Sequence, residues 1–307
     1  MQAFSVKNLV KTYSNDVQAL KGINLHVDEG DFFGLMGANG AGKTTLIGIL
    51  TGLVNKTSGD AQVFGHDLQA DAVAAKRMIG VVPQEFNFSM FDKVLDIVVW
   101  QGGYFGINTN EANTRAENIL KQLDLWDKRD KVARTLSGGM KRRLMIARAL
   151  IHKPRFLILD EPTAGVDVEL RQGMWTYLEK LNHQEGVTIL LTTHYLEEIE
   201  NLCKNVAIIK TGEIIKEDSV ASLLASANQT TYILNLQSEV DPQTISDLQS
   251  FAVTFVDPLT LEAVVHKSES VSVLLDTLRQ LGIGVAGLRP KSNRMEELFL
   301  NILNTNK

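Results

Sequence analysis

The stretch that decides the fold is FFGLMGANGAGKTTLIGIL, residues 32–50. It opens with a short apolar run typical of a buried strand and closes with a helix-forming segment. Between them, residues 37–44 match the pattern GxxxxGK followed by Ser or Thr, whose glycines let backbone N–H groups close on phosphate oxygens. The stretch therefore predicts a phosphate-binding loop between a strand and a helix. A glycine-rich turn that arose by chance is the alternative.

The residues of this loop have separable roles. Lys43 would place a mobile positive charge at the β and γ phosphates, which makes it a candidate catalytic residue. The Thr44 hydroxyl could ligate Mg²⁺. The candidate phosphate-binding residues are Gly37, Asn39, Gly40, Ala41, Gly42, Lys43, Thr44 and Thr45.

Around this stretch, short apolar runs alternate with helical patterns over the first two hundred residues, which is typical of an α/β fold. Four of the runs predict buried parallel strands: FFGLMG, MIGVVP, RFLILD and VTILLTT. FSVKNLVKTY and INLHVDEGD alternate in polarity and predict an antiparallel N-terminal β subdomain. From about residue 85 to 135 the strand signals stop, and helical patterns predict an insert within the α/β domain.

The pattern changes again after about residue 218. TTYILNLQ, FAVTFVD and LEAVVH predict strands, and SVSVLLDTLRQLG predicts a helix that Gly282 closes. GVAGLRP and a helix over NRMEELFLNIL complete the chain. We therefore expect two domains, residues 1–217 and residues 218–307, of which the second is a small accessory or regulatory α+β domain.

Length and composition agree with two globular domains. The chain has 307 residues, of which 44% are hydrophobic and 22% charged, so each domain can bury a core. The net charge of −5 argues against broad nucleic-acid binding, which normally requires a basic surface. The single cysteine, Cys203, excludes an internal disulfide framework and indicates a reducing cytosol. Since the sequence contains no run of about 18 apolar residues, any role at a membrane requires another chain.

Two carboxylates end the apolar run in RFLILDEPTAGVD. In a phosphate-loop enzyme, an acid at the tip of a neighbouring strand helps to hold Mg²⁺, and we assign this role to Asp160. Glu161 is then free to polarise the water that attacks the γ phosphate. Pro162 disfavours a helical backbone at Glu161, so we expect Glu161 to be extended. A solvated strand end without a catalytic role is the alternative for the pair.

Polar side chains also follow two other predicted strands. His194 comes directly after VTILLTT, and Gln84 follows MIGVVP. At the phosphate-facing edge of the sheet, His194 could donate a hydrogen bond to the γ phosphate. A merely structural or exposed histidine, and a surface glutamine, are the alternatives.

A second candidate anion site lies at LSGGMKRRLMIARAL, residues 136–150. Ser137 stands where a helix N-cap belongs, and Gly138 and Gly139 expose backbone N–H groups at the start of the helix. The first phosphate loop lies far upstream, so the chain carries two such segments.

Taken together, the motifs resemble those of the ATP-binding cassette ATPases. GANGAGKT, Gln84, LSGGM, FLILDE, Asp167 and His194 occur in the order and approximate spacing of that family, over residues 1 to about 215. LTTHYLEEIE and LSGGMKRR are most similar to the ATP-binding subunits of bacterial ABC-2 type exporters, the YadG-like group in particular. The resemblance implies a P-loop NTPase fold, ATP hydrolysis, and ATP with Mg²⁺ as cofactors; it places Gln84 at both the nucleotide and the metal.

The resemblance also explains the two anion sites. In the family, two cassettes meet head to tail, and each ATP lies between the phosphate loop of one chain and the Ser-Gly-Gly segment of the other. Ser137, Gly138 and Gly139 would thus contact the nucleotide of the partner in a homodimer. Asp167 would lie at the same interface, with a helix cap as its alternative, and Tyr13 would stack on adenine, with core packing as its alternative. The chain departs from the common pattern at Met140, where Gln is usual.

The implied function is that of an ATP-hydrolysing subunit of a transporter. It would be cytoplasmic and bound to the inner face of the cell membrane through separate transmembrane permease chains. Aromatic residues after Gln84 could form a groove for a permease helix or fill the core of the insert: Phe86, Phe88, Phe91, Trp100 and Tyr104. The alternative function is a soluble cassette ATPase that acts on ribosomes or nucleic acid, and the sequence does not identify the transported molecule.

Overall fold

The computed structural model describes residues 1–164, 166, 168–226, 229–240, 251–266, 269–291 and 298–299. Contacts divide the chain into two units, Met1–Asp218 and Ser219–Lys307. The strands of the first unit are β1 (Gln2–Thr12), β2 (Gln18–Asp28), β3 (Phe32–Met36), β4 (Ser58–Val63), β5 (His66–Asp67), β6 (Ile79–Val82), β7 (Phe156–Asp160), β8 (Thr188–Thr193), β9 (Asn205–Lys210) and β10 (Glu213–Ser219). Its helices are α1 (Lys43–Leu50), α2 (Ala72–Arg77), α3 (Val94–Tyr104), α4 (Thr109–Gln122), α5 (Gly138–Leu150), α6 (Val168–Glu185) and α7 (Leu196–Leu202).

A six-stranded sheet forms the centre of the first unit, in the order β10-β9-β3-β8-β7-β6. The pairs β9 with β3, β3 with β8, β8 with β7 and β7 with β6 are all parallel. Every residue of β3, β7 and β8 is buried, which explains why these strands are apolar except for Asp160 at the end of β7 and three threonines in β8. Because the strands are parallel, the loops that follow β3, β6, β7 and β8 leave the same edge of the sheet.

A second sheet, in the order β2-β1-β4-β5, is antiparallel and corresponds to the predicted N-terminal β subdomain. Phe4 of β1 stacks on Phe156 of β7 with ring centroids 5.5 Å apart, so the two sheets share one core. Helices α3 and α4 form the predicted insert between β6 and β7. The expected α/β cassette fold is therefore confirmed.

His152 joins the insert to the core of the first unit. Its ring stacks on Phe105, at the end of α3, with centroids 3.6 Å apart, and its Nε2 lies 3.0 Å from the carbonyl oxygen of Ile79. This contact requires the proton on Nε2, which leaves Nδ1 buried without a hydrogen-bond partner. Burial lowers the pKa of His152 to about 4, so the folded chain keeps this ring neutral.

We expect His152 to make the folded state sensitive to acid. The unfolded chain protonates this histidine near pH 6.5 and the folded chain only near pH 4, so its stabilising effect is complete above pH 6.5. As the pH falls towards 4, the effect is lost, up to about 2 to 3 kcal/mol. Thermal unfolding of the wild type and of His152→Gln, which does not titrate, measures the effect. An equal loss of Tm from pH 7.5 to 5 in both proteins would contradict it.

The second unit contains α8 (Val220–Ala225), β11 (Gln229–Leu236), β12 (Ala252–Asp257), β13 (Thr260–His266), α9 (Val271–Gln280) and β14 (Val285–Pro290). Its strands form a sheet in the order β12-β13-β11-β14, in which all neighbouring strands are antiparallel. Leu274 and Leu278 of α9 are buried in a core with Leu234 and Leu261 of the sheet. The helix predicted over residues 293–303 lies outside the described residues, except for 298–299.

Within the described part of the chain, no helix combines the length and the apolar character needed to cross a membrane.

Candidate functional site

A cavity of about 300 Å³ lies where the loops after β3, β6 and β7 meet. All but one of its lining residues were predicted from the sequence as site residues. The lining consists of Ala19, Asn39, Gly40, Gly42, Lys43, Thr44, Thr45, Gln84, Asp160 and Glu161. The sequence-derived candidates of the phosphate loop and of the two other strand ends therefore face one space.

The phosphate loop turns tightly between β3 and α1. Gly42, the N-cap of α1, has a φ of 116°, and a Cβ there would lie 2.8 Å from the carbonyl oxygen of Ala19. A Cβ on Gly37 would lie 2.4 Å from the carbonyl oxygen of Ile209. Both positions therefore require glycine. At Gly42 the backbone conformation and the lack of space both exclude a side chain, and at Gly37 the lack of space does. The buried Ala41 closes the turn, with its N–H donating to the carbonyl of Ala38 at 3.1 Å.

Lys43 is the first residue of α1 and is buried, with 6% of its surface exposed. Its Nζ donates to the carbonyl oxygens of Gly37 at 2.6 Å and Ala38 at 3.2 Å. Burial lowers the pKa of Lys43, and the negative charges of Glu161 and Asp160 oppose this shift. The ammonium group is thus held at the loop beside two carboxylates, where it can bind an anionic ligand.

Asp160 ends β7 and is also buried. The β7–β8 register places it opposite Thr192, whose Oγ1 donates to Asp160 Oδ1 at 2.5 Å. Burial raises the pKa of Asp160, while the Thr192 hydrogen bond and the cations Lys43 and Arg142 lower it. Thr192 therefore fixes one carboxylate oxygen.

Glu161 does not have the extended backbone that Pro162 was expected to impose. Its φ is 47°, in the left-handed region, which costs a non-glycine residue about 1 to 2 kcal/mol. The reason is a turn directly after β7: the Glu161 N–H donates to Thr192 O at 3.0 Å, and its carbonyl accepts from the Ala164 N–H at 3.2 Å. The expectation was wrong because proline disfavours the right-handed helical conformation of the preceding residue without excluding the left-handed one.

Two predicted residues contact the carboxylate of Glu161. Gln84 Nε2 donates to Glu161 Oε2 at 3.1 Å, and His194 Nδ1 lies 3.3 Å from Glu161 Oε1. The Glu161 carboxylate is mostly buried, whereas about half of the His194 side chain is exposed. The ends of β6, β7 and β8 thus bring three candidate residues together around one carboxylate.

Tyr13 lies just beyond β1, and 37% of its surface is exposed, which argues against its role as a core residue. Its hydroxyl is 3.2 Å from Thr45 Oγ1, so its ring lies beside the phosphate loop. Lys11 Nζ lies 4.8 Å from the ring centroid.

The second candidate anion site, at the start of α5, does not line the cavity. Ser137 is the N-cap of α5, and its Oγ accepts from the Met140 N–H at 3.3 Å, as predicted. Ser137 and Gly138 are exposed, whereas a Cβ on Gly139 would lie 2.5 Å from Leu170 Cδ1. Asp167, the remaining predicted residue, lies outside the described residues.

Sequence reasoning did not identify three residues that shape the site. Ala19 lines the cavity, Thr192 binds Asp160, and Arg142 holds the backbone at Gln84. The sequence signal for Thr192 was the pair of threonines that ends the apolar run of β8. Arg142 lies between Lys141 and Arg143, and the sequence alone did not show which of these cations is buried.

The chain resembles known proteins along most of its length. A sequence model described as "ABC transporter" matches residues 20–164. The linearmycin resistance ATP-binding protein LnrL of Bacillus subtilis is 34% identical over 302 residues, 96% of each chain. The Nod factor export ATP-binding protein I of Burkholderia thailandensis is 36% identical over 94% of this chain and 93% of its own.

Solved structures give the same result for the fold. cbiO1 of Clostridium perfringens, part of the ABC transporter complex cbiONQ, matches with a TM-score of 0.67 and 29% identity, over 73% of this chain and 91% of its own. A dimeric ATP-binding cassette in a post-hydrolysis state, bound to ADP and phosphate, matches with a TM-score of 0.64 and 29% identity, over 71% and 98%. The chain therefore belongs to the ABC transporter family, as one of its ATP-hydrolysing ATP-binding subunits.

Proposed function

We propose that the chain drives an exporter and hydrolyses ATP in the cavity that the phosphate loop, Gln84 and Glu161 line. The single observation that supports these residue roles is the convergence of Lys43, Asp160 and Glu161 on one cavity of about 300 Å³. Export is supported by the Nod factor export protein, which is similar over nearly its whole length. A soluble ATPase that acts on ribosomes or nucleic acid has no comparable support, and the net charge of −5 argues against it.

The proposed hydrolysis needs a base and a positioned phosphate. Phosphoryl transfer depends mainly on positioning and electrostatic stabilisation. Lys43 and the backbone N–H groups of the loop bind the β and γ phosphates. Glu161 accepts the proton of the attacking water, and Gln84 and His194 hold its carboxylate through the contacts at 3.1 Å and 3.3 Å.

The oxygen groups around the cavity suit Mg²⁺. The ion favours one or two carboxylates together with substrate phosphates, and Asp160 and Thr44 offer a carboxylate and a hydroxyl at the cavity wall. We assign Mg²⁺ to Thr44, Gln84 and Asp160, where it would neutralise charge on the phosphates. Thr192 supports this role because it fixes one oxygen of Asp160.

Two copies of the chain would complete each ATP site. Ser137, Gly138 and Gly139 lie at the N-terminus of α5 and outside the cavity of their own chain, which supports a contact with the nucleotide of the partner. A solved cassette of the same fold is dimeric and bound to ADP and phosphate, which supports a dimer of this chain. Asp167 belongs to the proposed interface by resemblance.

The insert carries the proposed docking surface for the permease chains, which we define as Phe91, Trp100 and Tyr104. Their exposed fractions are 75%, 55% and 86%, so these side chains are not packed in the core. Trp100 and Tyr104 are four residues apart on α3 and share one face of that helix. Binding there would place the chain at the inner face of the cell membrane. The names of the relatives mention different molecules, namely linearmycin, Nod factor and daunorubicin or doxorubicin, so they do not indicate one substrate for this chain.

Changing Trp100 and Tyr104 together to Ala is expected to release the chain from membranes without lowering its basal ATP hydrolysis. Both side chains lie outside the cavity, so only binding to the permease loses apolar area. The measurement is retention on washed vesicles from cells that co-express the permease chains. Leu53→Ala, at an 85% exposed residue after α1, is the matched control. Equal retention of the double variant and the wild type would contradict the docking surface.

A further inference from the structure

Helix α5 carries three consecutive cations, Lys141, Arg142 and Arg143, of which Arg142 is buried with 4% of its surface exposed. Its Nη1 donates to the carbonyl oxygens of Pro83 at 3.0 Å and Gln84 at 2.9 Å. The guanidinium carbon lies 5.1 Å from the ring centroid of Phe86. One side chain of α5 therefore holds the backbone that follows β6.

Burial of this cation is compensated by specific partners. Burial lowers the pKa of Arg142, and the negative charges of Asp160 and Glu161 oppose the shift. A guanidinium keeps its charge under these conditions, and its planar shape suits two carbonyl acceptors better than an ammonium would. The described hydrogen bonds of Arg142 are those from Nη1 to the two carbonyls, and its Nε has no hydrogen-bond partner.

The carbonyl that Arg142 holds belongs to a residue of the proposed catalytic arrangement. Gln84 accepts from Arg142 through its backbone and donates through its side chain to Glu161 Oε2 at 3.1 Å. The contacts therefore run without a gap from α5 to the carboxylate of Glu161. The N-cap of the same helix is Ser137, which is proposed to contact the nucleotide of the partner.

We infer that Arg142 is a positioning residue for ATP hydrolysis, which acts by fixing the backbone of Gln84 so that the Gln84 amide holds the Glu161 carboxylate at the cavity. This inference rests on the proposed roles of Gln84 and Glu161. Arg142 itself does not line the cavity that ATP would occupy.

The test is a double-mutant cycle of Arg142→Lys and Gln84→Ala in the full chain, read as kcat and KM for ATP. Lysine keeps the charge but lacks the planar fork, so kcat is expected to fall about ten-fold or more, as misplaced catalytic groups typically cause. KM should change little, since the phosphate loop is intact. Once Gln84→Ala has removed the amide, Arg142→Lys should lower kcat no further. If the kcat losses of the two single variants multiplied in the double variant, the inference would be overturned.

Arg148 provides a matched control on the same helix. It donates to the backbone carbonyl of Asn87 at 2.9 Å and to the Asn87 side chain. Arg148 therefore binds the same loop as Arg142, but at a residue that does not contact Glu161. Arg148→Lys should leave kcat close to that of the wild type, and a loss equal to that of Arg142→Lys would overturn the inference. Should Arg142→Lys not fold, Arg142→Gln, which buries no charge, takes its place in the cycle. Failure of the proposed function would give a different result, because Glu161→Gln would then retain full turnover.

Discussion

Glu161→Gln is expected to bind ATP with nearly wild-type affinity and to hydrolyse it about 10²- to 10⁴-fold more slowly, the usual contribution of a positioned general base. The amide has the shape of the carboxylate but cannot accept the proton of the attacking water. Lys43 and the glycines of the loop, which would bind the phosphates, are unchanged. If ATP between the two chains joins them and its hydrolysis releases them, the variant should accumulate as an ATP-bound dimer.

Single-turnover hydrolysis and sedimentation with ATP measure the two effects. Glu197→Gln is the matched control because Glu197 is exposed and 3.7 Å from Arg171, away from the cavity. That variant should keep wild-type turnover and stay monomeric after hydrolysis. Wild-type turnover in Glu161→Gln would remove Glu161 from its role as the base.

The phosphate loop and the buried parallel strands could be predicted because local sequence determines both. Gly37 and Gly42 lie too close to neighbouring carbonyl oxygens to carry a side chain, and a strand buried on both faces is mostly apolar. The parallel order of the strands then brings their carboxyl ends to one edge. Asp160 and Glu161 were placed beside the phosphate loop by this argument and Gln84 by the family resemblance, and all three line one cavity.

The contacts that orient these side chains could not be predicted in the same way, because they depend on register and on packing between distant segments. Thr192 faces Asp160 only because β7 and β8 pair in one particular register. Arg142 is buried, unlike Lys141 and Arg143, through its rotation on α5 against the loop after β6. At Glu161, a turn fixed by Thr192 overrode the local preference that Pro162 suggested.

Two variants that are each strongly impaired alone are expected to regain hydrolysis when mixed. Lys43→Met removes the charge that would bind the phosphates, at a cost of about 1.5 to 3 kcal/mol, or about 10- to 100-fold in affinity. Ser137→Asp keeps the N-cap of α5, since aspartate caps helices as well as serine, but it places a negative charge towards the nucleotide of the partner. In a homodimer of either variant, both composite sites are damaged.

A mixed dimer contains one intact site, in which Lys43 of the Ser137→Asp chain faces Ser137 of the Lys43→Met chain. With random pairing of equal amounts, half of the dimers are mixed, and one of the two sites in each mixed dimer is intact. About a quarter of the number of sites in the wild type is therefore restored. Ser137→Asn, which has the same shape without the charge, should lose less activity than Ser137→Asp. If each chain closed its own site, both changes would damage the same pocket and mixing would restore nothing, because no pairing could then bring an intact Lys43 and an intact Ser137 together.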